Sequence, residues 1–251
     1  DTPNGLGVPV IRDDYQQGLV DIARGVIEMK ANYELITDNL LDLGHAEFVH
    51  EGILSSKAIT CSKLQTIQNG STIYANRWCP NGAPAPAWDG LLEGRPAEVD
   101  HWLYMRWDAP ANMLLDAGVT RVGDNRESGA WVYGTDILVP KDQTTTYYFW
   151  AVTRAYAIHD AAADEMWRMS VKGAFEGQDQ PIIEAQQRVL GNRSFEEAHP
   201  VMFSIDSAAQ RARKLLSKLI AEEAAPTPTN PALSAQRHKT GPTREPVEPA
   251  V

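Results

Sequence analysis

The sequence predicts an α+β fold, a curved antiparallel sheet covered on one face by helices. The centre of the chain is a succession of segments dense in aromatic and β-branched residues, the strongest helical patterns follow them, and an Asn69-Gly70 step joins two of the strands. At 251 residues the chain is long enough for one large domain or two small ones.

Taken in order, Asn32 to Leu54 (NYELITDNLLDLGHAEFVHEGIL) has a helical apolar side formed by Leu35, Ile36, Leu40, Leu41 and Leu43. KAITCSKLQTIQ and STIYANRW then flank Asn69-Gly70 as a hairpin in which Gln68 pairs Ser71 and Cys61 stands opposite Trp78, leaving Cys61 and Cys79 as free thiols. Strand patterns continue at HWLYMRW, NMLLDAGVTRV, GAWVYGTDILV and TTTYYFWAVTRAY. A helical stretch from Ala161 towards Leu190 carries Met166, Met169, Ile182, Ile183 and Val189 on its apolar side, and Gly173, Gly177 and Pro181 predict a bend or break in it. A last helix, capped by Asp206 or Ser207, places Ala208, Ala212, Leu215, Leu216, Leu219 and Ile220 at helical spacing. Residues 226–251 hold six of the sixteen prolines and almost no large apolar side chains, so they read as a flexible tail behind a domain spanning 1–225. His238 in that tail reads as solvated.

The composition excludes several functions. Lys plus Arg number 23 against 33 Asp plus Glu, a net charge of −10 that repels nucleic-acid phosphates and anionic lipid. No apolar run reaches the roughly 20 residues that span a bilayer. Two cysteines exclude a disulfide-dense scaffold. No G-x-G-x-x-G, P-loop or G-x-S-x-G motif supports a nucleotide-binding or esterase reading.

Chemistry concentrates in Asn39, Asp42, His45 and His50, with Asp-x2-His-x4-His spacing. Asp42 and His45 are three residues apart and share a helix face, so the carboxylate can orient the imidazole. Residues five apart on a regular helix diverge by about 140°, so His45 and His50 meet on one ion only where the helix ends or distorts, and Gly44 is placed for that. Two neutral imidazoles suit iron, zinc, copper or nickel, and one carboxylate from elsewhere would complete the facial triad of a non-haem Fe(II) oxygenase. Ordinary helix-end histidines remain the alternative on spacing alone.

DNLLDLGHAEFVH resembles the iron-binding signature of the Rieske non-haem iron oxygenases, in particular the vanillate and dicamba O-demethylase group. EGQDQPIIEAQQRVL resembles the helix that brings that family's third ligand, here Asp179. TDILVPKDQTTTYYFWAVTRAYAIHDA resembles its late sheet strands and PVMFSIDSAAQRARKLLSKL its closing helix, so the likeness runs over residues 22–224. The resemblance implies a helix-grip fold and His45, His50 and Asp179 as ligands of a mononuclear Fe(II). It also implies Asp42 as a bridge between His45 and a cluster-ligating histidine of a neighbouring subunit, and Asn39 close to the metal. The implied activity is O2-dependent hydroxylation of an aromatic substrate, above all O-demethylation of an aryl methyl ether, with ring dihydroxylation or other hydroxylation as the alternative. Electrons would come from NAD(P)H through a separate reductase and a Rieske cluster, in a cytoplasmic homotrimer.

The family's [2Fe–2S] pattern, Cys-x-His…Cys-x2-His, is missing: Ser62-Lys63 follow Cys61 and Pro80-Asn81 follow Cys79. The cluster is therefore expected on an N-terminal domain outside this chain, cut off or naturally absent. His101 reads as a sheet histidine, His159 as a turn residue and His199 as a solvated loop residue. Trp131, Tyr133, Phe149 and Trp150 read as sheet core, some of them lining the cavity. Asp116 and Asp136 need partners inside apolar strands. Asp136 falls where some relatives carry a substrate-contacting histidine. Arg106 and Arg154 could anchor a substrate carboxylate or neutralise those aspartates. Two rival functions remain, a metal-free helix-grip ligand-binding module and a zinc hydrolase, the latter lacking an H-E-x-x-H arrangement.

Overall fold

The computed structural model describes residues 20–50, 52–54 and 56–224. The proline-rich stretch 226–251 lies outside the described residues. Seven strands form one antiparallel sheet in the order β1-β7-β6-β5-β4-β3-β2. They are β1 (Val20–Met29), β2 (Leu64–Asn69), β3 (Thr72–Gly82), β4 (Val99–Asp108), β5 (Asn112–Arg121), β6 (Ala130–Asp142) and β7 (Thr145–Arg154). The four strand patterns of the middle of the chain are β4 to β7. β1 has no counterpart in the sequence reading: Arg24, Gly25 and Glu28 dilute its pattern, and pairing with β7 from Arg154 to Thr146 makes it a strand.

The first hairpin departs from expectation in two ways. Asn69 pairs Thr72, so Gly70 and Ser71 form the turn, one residue later than predicted, with Gly70 at φ +58°. Lys57–Cys61 is a short helix, α3, rather than strand. The Ser56 side chain caps it by accepting from the Ile59 N–H, and the buried Arg77 guanidinium takes the Thr60 carbonyl at 2.6 Å as well as that of Ser62. Cys61 therefore faces no strand partner, although both thiols are free as expected.

Before α3 come α1 (Tyr33–Leu41) and α2 (Ala46–Val49). Asn32 starts α1 by accepting from the Glu34 N–H at 2.8 Å, and Leu35, Ile36, Leu40 and Leu41 are buried. After the sheet, α4 (Ala161–Lys172) passes into a π-helical segment, Gly173–Asp179, and then α5 (Gln180–Leu190). The predicted break is thus a widened helical turn. Pro181 sits in the first turn of α5, where its missing N–H costs nothing. The short α6 (Phe195–Ala198) follows, then α7 (Ser207–Ala224), entered through a 3-10 turn at Ser204–Asp206. Arg213 of α7 ties it to α1 through Asp38 at 2.6 Å and Glu34 at 2.7 Å.

Period-2 alternation sorts the sheet residues. Leu103 and Met105, Leu115 and Ala117, Val132 and Gly134, and Val152 line one cavity with residues of the helical layer. The opposite face carries Trp102 stacked on Trp78 at 6.1 Å, with Arg126 over Trp102 at 4.5 Å. Asp116 finds its partners there, Arg126 and the Trp102 indole N–H at 2.7 Å.

Gly25 of β1 pairs with Trp150 of β7, and a Cβ at Gly25 would lie 2.7 Å from the Trp150 ring. Gly25→Ala should therefore displace that ring and cost about 1–3 kcal/mol of stability, read from urea unfolding. An unchanged midpoint would show that the ring moves freely.

Candidate metal centre

Three side chains converge from two parts of the chain. α1 stops at Leu41, and the turn through Gly44 reverses the backbone so that His45 precedes α2 and His50 ends it. This satisfies the geometric condition set by their five-residue spacing. The π-helical segment delivers the buried Asp179 from the other side. His45 Nε2 and His50 Nε2 lie 3.2 Å apart, and Asp179 is 3.6 Å from the first and 3.3 Å from the second. This is the triad of potential metal-binding groups found among the described residues.

The outer nitrogens decide what the inner ones can do. His45 Nδ1 meets the backbone carbonyl of Asp42, and His50 Nδ1 meets Gln178 Oε1 at 2.8 Å. Both acceptors are oxygens, so each Nδ1 is placed to donate, which leaves each Nε2 available to an ion whenever it is unprotonated. Two imidazole Nε2 atoms and a carboxylate, with side-chain exposures of only 18% at His45 and 4% at the other two, form a set that could hold a metal cation. Burial lowers the pKa of His50, but the hydrogen bond and charge of Asp179 outweigh it and hold the pKa above the usual imidazole value.

The surroundings differ from the sequence reading in several places. The Asp42 carboxylate accepts from the Gly44 N–H at 2.8 Å, so its backbone carbonyl, rather than its carboxylate, orients His45. Helix termination turns that carbonyl towards the ring, an event that side-chain spacing does not reveal. Asn39 Nδ2 donates to Asp179 Oδ1 at 3.3 Å. Gln178 was not singled out from the sequence, and its adjacency to Asp179 was the signal available.

A cavity of about 110 Å³ opens beside the three ligands. Its aromatic walls are Trp88, Trp167 and Phe175, and none of the four sheet aromatics of which some were expected to line it: Trp131 and Tyr133 lie on the opposite face, Phe149 is 44% exposed, and Trp150 packs against Phe175. His101 is a sheet histidine that also lines the cavity, with Nδ1 buried and unpartnered, and burial pushes its pKa down to about 4. Asp136 lines the cavity as well and accepts from the Tyr148 hydroxyl at 2.7 Å. Burial, opposed by that bond and reinforced by the charge of Asp179, lifts the Asp136 pKa to about 7. Neither arginine does what was expected. Arg106 bonds Asp108 at 3.0 Å, and Arg154 serves Asp164 and the carbonyls of Tyr156, Ala157 and Asp160. His159 and His199 are exposed. A second, more open cleft on the outer side of the centre is lined by Asn39, Asp42, His45 and Val49.

Sheet, helical cover and a two-histidine, one-carboxylate centre together define the catalytic-domain class of the mononuclear non-haem iron oxygenases. Residues 29–222 match the family model for the vanillate O-demethylase oxygenase C-terminal domain, and the chain belongs to that family. The oxygenase component of chloroacetanilide N-alkylformylase from Rhizorhabdus wittichii is 30% identical over 214 residues, covering 85% of this chain and 61% of that protein. Dicamba monooxygenase bound to dicamba superposes with a TM-score of 0.78 at 28% identity, covering 89% of this chain and 65% of the other. The same enzyme with non-heme iron and dicamba gives a TM-score of 0.65 at 30% identity, covering 80% and 57%. The chain thus spans about three fifths of the length of the curated relative it matches. No helix among the described residues is long and apolar enough to cross a membrane.

A buried carboxylate with a raised pKa destabilises the fold as pH rises, because the folded state then binds more protons than the unfolded one. For Asp136 the loss falls between the usual carboxylate range and about pH 7. In metal-free protein, Asp136→Asn should gain about 2–4 kcal/mol over wild type between pH 4 and pH 8. Parallel stability curves for the two proteins would contradict this.

Proposed function

We propose that this chain carries the iron-bearing catalytic domain of a Rieske-type oxygenase, and that it hydroxylates an aromatic substrate. The observation that carries the reading is the pair of facing Nε2 atoms, 3.2 Å apart beside a buried carboxylate. His45, His50 and Asp179 would hold one Fe(II), and the iron, when bound, supplies the activation of O2.

The rest is done by the chain. The Asp42 carbonyl and Gln178 fix the two rings in the tautomer that ligates, and Asn39 holds one oxygen of Asp179. Trp88, Trp167 and Phe175 provide a dry slot that orients one ring of a substrate. The family name favours O-demethylation of an aryl methyl ether: hydroxylation of the methyl carbon gives a hemiacetal that collapses to a phenol and formaldehyde. For each turnover one O2, two electrons and two protons are consumed and one water is released. The electrons would come from NAD(P)H by way of a separate reductase and a [2Fe–2S] cluster held outside this chain. Asp42, on the wall of the outer cleft, would receive them from a neighbouring subunit of a homotrimer. The NAD(P)H requirement fits a cytoplasmic setting.

Metal analysis of anaerobically purified protein tests the reading. Iron near one atom per chain is expected, and Asp179→Ala should abolish it; stoichiometric zinc, or no metal, would sink the proposal. Gln178→Ala should weaken iron retention about 10–100-fold in chelator competition while leaving the fold intact. Undiminished retention would remove Gln178 from the site's support.

A further inference from the structure

Resting on the oxygenase reading above, we infer that Asp136 selects neutral aromatic substrates that present a hydrogen-bond donor, such as carboxamides or phenols, and excludes aromatic carboxylates.

The cavity wall supplies the argument. Among the described residues its polar lining consists of the three proposed iron ligands, His101 and Asp136, and no lysine or arginine reaches it. A carboxylate moved from water into an apolar slot needs a cation or several donors to offset its lost hydration. The two nearby candidates are committed elsewhere, Arg106 to Asp108 and the wholly buried Arg154 to Asp164. One dication held by the triad would offer no surplus either, because Asp136 and Asp179 already supply two carboxylates to the same cavity.

His101 does not replace the missing cation. It pairs with Val119, which pairs with Ala130, six residues along β6 from Asp136. At about 3.3 Å per residue the two side chains belong to opposite ends of the sheet wall. Burial also keeps the His101 imidazole neutral. Asp136 stands at the metal end, where the charge of Asp179 acts on both Asp136 and Tyr148. A substrate group beside the reacting carbon therefore meets an acceptor, held in place by the Tyr148 hydroxyl at 2.7 Å. Gly134, next on the same face of β6, also lines the cavity, and a Cβ there would crowd Leu115 of β5 at 3.3 Å. The cavity, about 110 Å³, suits a single ring, given that a cavity of about 150 Å³ takes up benzene.

The test uses the iron-loaded, full-length protein under anaerobic conditions at about pH 8.5, where Asp136 is ionised, with 2-, 3- and 4-methoxybenzamide against the matching methoxybenzoates. Calorimetric titration should show at least one amide binding at least about tenfold tighter than its carboxylate, the scale expected when like charges meet in a desolvated site. In Asp136→Asn that ratio should fall to within about threefold, since the repulsion is removed while the shape is kept. A carboxylate that binds wild type as tightly as its amide overturns the inference, as does failure of all three amides to bind. The wild-type comparison decides even where the variant folds poorly. Formaldehyde release in the reconstituted system separates the two readings. Amide preference without formaldehyde rejects the oxygenase reading and keeps the selectivity, whereas formaldehyde with equal binding does the reverse.

Discussion

Two imidazole Nε2 atoms 3.2 Å apart, beside a buried carboxylate, form an arrangement whose three inward-facing groups could share one cation. Much of the helical layer can be understood as what holds that arrangement together. α1 stops at Leu41, which turns the Asp42 carbonyl towards His45, where it meets both the backbone N–H at 3.3 Å and Nδ1 of the ring. Gly44 has to follow within two residues, because the Asp42 carboxylate caps its N–H and a Cβ there would lie 3.1 Å from that oxygen. On the far side, the π-helical turn adds the widened step that lets Gln178 reach His50 while Asp179 faces both rings. None of these features improves the helices as helices. Each exchanges regular backbone geometry for the orientation of one atom.

The sheet contributes the opposite property. Leu103, Met105, Leu115, Ala117, Val132 and Val152 present apolar side chains from four adjacent strands, a wall that forms no hydrogen bonds and holds no charge. Against that wall a single polar group carries large consequences, because nothing nearby competes with it. Asp136 is such a group. Its elevated pKa shows that the fold tolerates a carboxylate at an energetic cost, and costly buried polar groups are most readily explained by function.

How much of this was legible follows the range of the interactions. The strands β4 to β7 could be read because aromatic and β-branched side chains declare themselves within ten residues. β1 could not, because Arg24, Gly25 and Glu28 obscure it and its strand character comes from β7, more than a hundred residues away. Helix α3 was mistaken for strand because the deciding contacts, the Ser56 cap and the Arg77 guanidinium on the Thr60 carbonyl, outweigh the β-branched Ile59 and Thr60. At the site, His45 and His50 were visible from spacing, and Asp179 only through a likeness to a known family. Gln178 and the Asp42 carbonyl were hidden, since an amide and a main-chain oxygen have no pattern of their own. The cavity's aromatics were misassigned for a related reason. Strand residues were read as a set, whereas alternation divides them between two faces, and all three ring walls come from helical segments, Trp88 from the 3-10 turn Pro86–Trp88.

His45 is the residue on which both sides of the centre depend. It lines the inner apolar cavity and the outer cleft that contains Asn39 and Asp42. On the proposed reading, a cation at its Nε2 would be approached by an apolar ring from one side and would receive an electron by way of Asp42 from the other. The separation matters physically, because electron entry requires polar groups and ordered hydrogen bonds, while an apolar ring binds best where neither is present. One imidazole, its Nδ1 bonded on the polar side and its Nε2 turned inward, lets the two requirements meet without mixing. On that reading, substitutions in the short loop from Asp42 to His45 should disturb electron entry and ring binding together rather than either one alone.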